Sequence, residues 1–223
     1  MNVAKGKFIV FEGANGCGKT TQQDLLYKEL EKDGIKFVTT NEPSGFPIGN
    51  CLIKHYLSGE YICDHKMITT LFAMDRYHQA IDPKSGIIKI LNNGFNVIQS
   101  RTFLSSMALE YNKIKDLSVL KEVYNANIDV INIYKKYDIH PNIIFIDVKP
   151  ETCIERQKVM EGHIDDIHEK SDFIIGQRDA YLAALGFLMN HSDIFSIHII
   201  DGNDSLENVH SRIYEIVYPL LNV

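Results

Sequence analysis

The chain has 223 residues, enough for one α/β domain with a sizeable core and too few for two full domains. A formal net charge of -6 at pH 7 argues against a protein built to wrap nucleic acid, so any phosphate binding has to be local. No run approaches the roughly eighteen apolar residues a membrane span needs, and Met1 to Lys7 lead into an apolar strand without a leader-like segment, which predicts a cytoplasmic protein.

The first predicted element is Phe8-Ile9-Val10-Phe11, short, apolar and aromatic or β-branched, which reads as a buried strand closed by Glu12. Gly13-Ala14-Asn15-Gly16-Cys17-Gly18-Lys19-Thr20 follows, a full match to the pattern G, any four residues, G-K-[S/T]. A backbone curling round a phosphate with its N–H groups inward needs dihedrals and close approaches that a Cβ obstructs, and glycine removes the obstacle. Thr20 to Leu30 carries Leu at helical spacing, which sets the positive end of a helix against the anion. In such a loop Lys19 is expected to reach the β- and γ-phosphates of a nucleotide and the Thr20 hydroxyl to sit on Mg²⁺.

Asp33-Gly34 stops the helix, Ile35 to Thr40 reads as a second strand, and Asn41 to Pro47 is a turn-rich loop at its carboxyl end. Helices are expected from Ile48 to Leu57, from Met67 to Ala80, and after Pro83 as far as Asn93-Gly94. Phe95 to Ser100 is the third strand, with Arg101 at its carboxyl end. A helix from Thr102 to about Tyr111 and a single longer one from Ser118 to Tyr137 lead to a fourth strand, Asn142 to Val148. Pro150 opens the next helix, 160–170 is polar and poorly periodic, and Ser171 starts a helix to about Met189. Ile194 to Ile200 is the fifth strand, and Asp204 or Ser205 opens the last helix. Strands alternating with helices imply one domain, spanning 1–223, with a parallel sheet covered on both faces. Cys17, Cys51, Cys63 and Cys153 form no CxxC pair and nine histidines show no HExxH spacing, so neither zinc nor a disulfide framework is expected. Cys17, in an anion-binding loop beside Lys19, is expected to be the reactive thiol.

Beyond the phosphate loop, several short pieces occur in one order: Phe11-Glu12-Gly13 with Thr21 and Gln22; Glu42-Pro43 with Gly45, Pro47, Ile48 and Gly49; Leu71-Phe72-Ala73 with Asp75-Arg76; Arg101 with Ser105 and Ala108; Asp147 with Pro150-Glu151; and Arg178 with Tyr181. Together they resemble the thymidylate kinases, P-loop nucleoside monophosphate kinases. The resemblance implies a P-loop NTPase fold of class α/β with a five-stranded parallel sheet flanked by helices and a lid at about 160–170. It also implies ATP and Mg²⁺, transfer of the γ-phosphoryl group to a deoxynucleoside monophosphate, foremost dTMP, and a homodimer formed through the helices after the second and third strands. No nucleic-acid or membrane partner is expected.

On the same resemblance, Lys19 and Arg101 are catalytic. Gly13, Ala14, Asn15, Gly16, Cys17, Gly18, Lys19, Thr20, Thr21 and Arg156 hold ATP, and Thr20 meets the metal. The acceptor is held by Asn15, Glu42, Pro43, Phe72, Arg76, Arg101, Ser105, Ser106 and Leu109. Phe72 would stack on the base and Arg76, one helical turn on, would donate to a base carbonyl. The planar fork of Arg101 would match two oxygens of the acceptor phosphate.

This chain departs from the family at points that touch the acceptor or the metal: Asn15 for an acidic residue, Asn41 for an arginine, Ser100 for the aspartate before Arg101, Leu109 for an aromatic, and Asp166 for a lid arginine. Arg156 and Lys158 are the nearest cationic substitutes. These changes keep alternatives open: a kinase for dGMP or dUMP, with Glu110 beside the base, a homologue with weakened catalysis, or a deoxynucleoside kinase using Glu42 as base.

Overall fold

Strands buried on both faces have to be apolar throughout, and β1 (Phe8–Glu12) is buried along its whole length. In the computed structural model, which describes residues 4–159 and 171–221, β1 is the centre of one parallel sheet. Its partners are β2 (Phe37–Asn41), β3 (Asn96–Ser100), β4 (Asn142–Asp147) and β5 (Ser196–Asp201), in the order β2-β3-β1-β4-β5. The five expected strands are all present and all parallel.

Alternate residues of β1 face opposite layers. Phe8 and Val10 join a core with Val97, Ile143 and Phe145 and with α5 (Phe103–Ile114), α6 (Ser118–Ala126), α7 (Ile128–Lys136) and α9 (Ser171–His191). Ile9 and Phe11 join Ile98, Ile144 and Ile146 under α1 (Lys19–Lys32), α8 (Pro150–Val159) and α10 (Leu206–Leu221). Short α2 (Pro47–Cys51), α3 (His65–Ile81) and α4 (Ile87–Asn92) lie between β2 and β3 in sequence.

Two expected helices are built differently. Ser118 to Tyr137 is two helices rather than one, interrupted at Asn127. That residue is fully buried, and its amide donates to the Val123 carbonyl at 2.8 Å while its Oδ1 accepts from Arg76 at 3.2 Å, so side-chain bonds hold the backbone out of the helical ladder. The stretch Ile48 to Leu57 is α-helical only through Cys51 and then makes a π-helical turn, Leu52–Leu57. Leu52 is buried, and Leu57, at the end of this turn, lines the cleft described below. The expected lid, 160–170, lies outside the described residues.

The sheet register fixes the site. Ser100 pairs with Phe11 on one side and with Asn41 on the other, so the residues just beyond these strands, Gly13, Glu42 and Arg101, emerge together at the carboxyl edge. Glu12, with no exposed surface, locks this edge to α5. Its Oε1 accepts from Thr102 N at 2.6 Å, Thr102 Oγ1 at 3.0 Å and Ser105 N at 3.3 Å, and its Oε2 accepts from Ser105 Oγ at 2.7 Å. A carboxylate at a helix N-terminus meets both free N–H groups and the favourable end of the dipole. Replacing Glu12 with Ala leaves those buried donors unmatched, and urea denaturation is expected to show a loss of roughly 2–4 kcal/mol.

Candidate active site

The phosphate loop joins β1 to α1 with Gly13, Gly16 and Gly18 all at positive φ, 145°, 78° and 100°. A Cβ on Gly13 would stand 2.7 Å from Cys17 Sγ and 2.8 Å from the Ile146 carbonyl oxygen, so the close approach admits only glycine there. The Lys19 ammonium lies over the loop on the carbonyls of Gly13 at 2.8 Å and Ala14 at 2.9 Å. Burial lowers its pKa, and the neighbouring charge of Arg101 lowers it further. Two cations held this close, Lys19 at the first turn of α1 and Arg101 just beyond β3, form a site for a polyanion.

Arg101 takes the left-handed conformation, φ 68°, a strained choice for a residue with a side chain. Its N–H bonds the Phe11 carbonyl at 2.9 Å, anchoring the turn to β1. Nη1 donates to Ser105 Oγ at 3.1 Å and Tyr181 Oη at 3.0 Å, and Nη2 donates to Asn15 Oδ1 at 2.5 Å. Of the five guanidinium N–H groups, the Nε–H and one on Nη2 stay uncommitted among the described residues, a side-on fork of the kind that grips two oxygens of one anion. Asn15 is held in turn by Gln177, whose Oε1 accepts its backbone N–H at 2.8 Å.

From this clamp a cleft of about 750 Å³, counted to its open mouth, runs between α3 and α5. The structure brings together along it every acceptor residue named from the sequence: Asn15, Glu42, Pro43, Phe72, Arg76, Arg101, Ser105, Ser106 and Leu109. Phe72 and Arg76 do share a face of α3, with the guanidinium carbon 5.4 Å from the ring centre. Arg76 is nearly buried and donates to Glu42 Oε2 at 2.6 Å, Ser106 Oγ at 2.6 Å and Asn127 Oδ1 at 3.2 Å. Ser105 lines the cleft, but its hydroxyl is bound into the Glu12, Arg101 and Tyr181 network. Burial pushes the Glu42 carboxyl up to about 7, outweighing the charge of Arg76 beside it.

On the far side of the loop, a groove of about 440 Å³ is lined by Cys17, Gly18, Thr21, Gln22, Arg156 and the start of α10. Arg156 closes it by donating to the carbonyls of Cys17 at 3.1 Å and Gly202 at 3.0 Å. Thr20 and Thr21 are exposed at the head of α1. Cys17 is not the accessible thiol expected: it is 2% exposed and packs beneath the loop with Ala14 and Cys153. Asp147, at the end of β4, makes a two-pronged bond to Arg178 at 2.7 and 2.8 Å.

Sequence reasoning gave no role to Tyr181, Gln177 or Asn127, which hold the clamp, the loop and the cleft arginine. Tyr181 was within a recognisable motif, whereas Gln177 and Asn127 sat in helical stretches that look ordinary. Thr69 and Lys113 also line the cleft, each one helical repeat away from a named residue.

The family model described as thymidylate kinase matches residues 11–213, from the end of β1 into α10. The chain belongs to the thymidylate kinase family. It is 32% identical to a thymidylate kinase of Caldicellulosiruptor saccharolyticus over 97% of this chain and 98% of the relative. It is 31% identical to a probable thymidylate kinase of Methanocaldococcus jannaschii over 92% and 93% of the two chains. Within a thymidylate kinase frame, Asn15 in place of an acidic residue still accepts a hydrogen bond from Arg101, and Leu109 keeps a half-buried apolar surface on the cleft.

A carboxyl raised from its unfolded value of about 4.3 to about 7 binds its proton more tightly in the folded chain, so its contribution to stability is present at low pH and is lost as pH rises between those values. Relative to a Glu42→Gln variant, the wild-type unfolding free energy is therefore expected to fall on going from pH 5 to pH 8, by an amount of order 3 kcal/mol, in parallel urea titrations.

Proposed function

We propose that the chain transfers the γ-phosphoryl group of ATP to dTMP, giving dTDP and ADP, with Mg²⁺, and that it works as a homodimer in the cytoplasm. One observation carries the reading. The uncommitted donors of Arg101, just beyond β3, open on a cleft whose inner wall is Phe72 and Arg76, and the Lys19 ammonium, at the first turn of α1, lies close to Arg101 over the phosphate loop. The relatives are thymidylate kinases by name, which favours dTMP over dGMP or dUMP as acceptor, and over a nucleoside.

In this reading the loop amides and Lys19 hold the β- and γ-phosphates, and the Arg101 fork holds the dTMP phosphate in line with them. An oxygen of that phosphate attacks the γ-phosphorus while the bond to the β–γ bridging oxygen breaks, and ADP leaves with the electron pair. Because the transferring group carries spread negative charge, positioning and fixed cations supply most of the acceleration. Arg76 has two donors left for a base carbonyl after its three bonds within the protein.

Bound Mg²⁺ would supply charge neutralisation at the phosphates. The exposed Thr20 hydroxyl, next to Lys19, fits it as a hard oxygen ligand, while Glu12 and Asp147 are already committed to other partners. Ser100 brings a hydroxyl where the family has a carboxylate, so the remaining ligands would come from phosphates and water.

The dimer reading rests on α3, where Met67, Met74, Tyr77 and Ile81 recur at helical spacing and are 41–52% exposed. An apolar stripe of that length on a surface helix is a partner-binding face. A reducing compartment suits four unpaired cysteines, and no helix among the described residues is long and apolar enough to cross a membrane.

A coupled assay with ATP, Mg²⁺ and a panel of nucleoside monophosphates tests the reaction. dTMP is expected to be the best acceptor, and Lys19→Ala to lower kcat about 10²–10³-fold. Turnover of thymidine but not dTMP overturns the reading. For the assembly, a Met74→Glu/Tyr77→Glu double variant is expected to sediment as a monomer where the wild type sediments as a dimer.

A further inference from the structure

We infer that Gln99, buried in β3 and no part of the cleft wall, is the positioning residue that sets Arg101 and Arg76 relative to one another, through the Arg101 carbonyl on one side and the Glu42 carboxylate on the other. This rests on the nucleotide-acceptor reading above, in which Arg101 takes the acceptor phosphate and Arg76 the base.

A primary amide inside a sheet is costly unless all its polar atoms are matched. Gln99 is 1% exposed on a strand flanked by β1 and β2, and its amide is matched throughout. Its Oε1 accepts from Thr40 Oγ1 at 2.9 Å, and its Nε2 donates to the Arg101 carbonyl at 2.9 Å and to Glu42 Oε1 at 3.1 Å. The orientation of the amide follows from its partners, because a peptide carbonyl and a carboxylate oxygen both need a donor. Thr40 stands opposite Gln99 in the ladder, so the third bond fixes the amide to β2.

Each of the groups it holds leads to an arginine. The N–H of Arg101 is already tied to the Phe11 carbonyl, and Gln99 ties its carbonyl as well. With both backbone groups held at φ 68°, the side chain leaves the turn in one direction. The Glu42 N–H is fixed to the Ser100 carbonyl at 2.9 Å, while its carboxylate spans from Gln99 at Oε1 to Arg76 Nε at Oε2. A line of buried contacts therefore runs from Arg101 through Gln99 and Glu42 to Arg76. Two guanidinium groups that grip opposite ends of one nucleotide need a fixed separation.

The line is complete only while Glu42 is ionised. A proton on either carboxyl oxygen would face an N–H, of Gln99 or of Arg76, and displace it. Burial works against the ionised form most strongly, Asp75 on α3 and Glu12 on β1 add to that, and Arg76 opposes it. Tyr134, on α7, is the other titratable group close enough to feel the Glu42 charge. Gln99 contributes a neutral donor that favours the carboxylate, so its removal has to make the Glu42 proton harder to lose.

The test compares wild type with Gln99→Leu, which keeps much of the volume without the donors, and with near-isosteric Gln99→Glu, which sets a carboxyl against Glu42 and the Arg101 carbonyl. Rates with ATP, Mg²⁺ and dTMP, calorimetric dTMP titrations and the Glu42 carboxyl carbon resonance of the ligand-free protein are followed against pH. Gln99→Leu is expected to raise the dTMP KM and Kd about tenfold or more and to lower kcat about tenfold, with the ATP KM within about twofold of wild type. Its Glu42 resonance is expected to titrate above the wild-type midpoint of about 7. In wild type, dTMP affinity is expected to rise with pH through that midpoint. In Gln99→Glu it is expected to fall instead, because the two facing carboxyls stay joined only while a proton is shared between them. Melting curves report folding, and the Glu variant serves if Leu unfolds, since lost packing alone does not reverse a pH trend. A folded Gln99→Leu with wild-type dTMP Kd and kcat, an unmoved Glu42 midpoint, or a wild-type pH trend in Gln99→Glu overturns the inference. A wild type that binds no nucleoside monophosphate, while the Glu42 midpoint still moves in Gln99→Leu, refutes the kinase reading instead.

Discussion

The two halves of the site are held in register by the buried carboxylate of Glu12. It ends the central strand, so it stands where the phosphate loop begins, and it fills the N-terminus of α5 through Thr102 and Ser105. Everything on α5 that lines the cleft, from Ser105 to Glu110, is thereby referenced to the same strand end that leads into Gly13. A loop tolerates displacement, whereas a carboxylate with both oxygens matched by fixed donors does not. Transfer between two bound phosphates demands that kind of fixed separation.

Around that pin the fold sustains several locally unfavourable states at once. Arg101 keeps a backbone conformation that disfavours side chains, Lys19 is a desolvated ammonium close to a second cation, and Glu42 is a carboxyl whose burial favours its proton. None would persist in a short peptide. Each is held by neighbours anchored elsewhere: Phe11 and Tyr181 for Arg101, the loop carbonyls for Lys19, Arg76 and Gln99 for Glu42. Strain and desolvation concentrated at one sheet edge are what a prepared binding site requires.

The sheet was legible in the sequence because the central strands are apolar on both faces and are punctuated by Gly and Pro, and the loop because its glycines are needed at fixed positions. The acceptor residues became legible only through a likeness to a family, since Phe72 and Arg76 on their own describe any amphipathic helix. Three features stayed hidden for physical reasons. The break at Asn127 depends on a bond to Arg76, 51 residues away in sequence, which no local propensity records. The π-helical turn at Leu52–Leu57 answers to which side chains the core and cleft require. The inaccessibility of Cys17 follows from the packing of α8 beneath the loop, whereas a motif shows only that a thiol is near a lysine.

Asn15 joins two parts of the molecule by different atoms. Its backbone N–H is latched to Gln177 on α9, and its side chain shares Arg101 with the acceptor end of the cleft. Any movement of α9 that draws Gln177 away loosens Asn15 and so changes the company Arg101 keeps. By reciprocity, an anion that recruits Arg101 alters how firmly α9 is fastened to the loop. The fastening of α9 and the anchoring of Arg101 are then coupled quantities, communicated through a single amide residue.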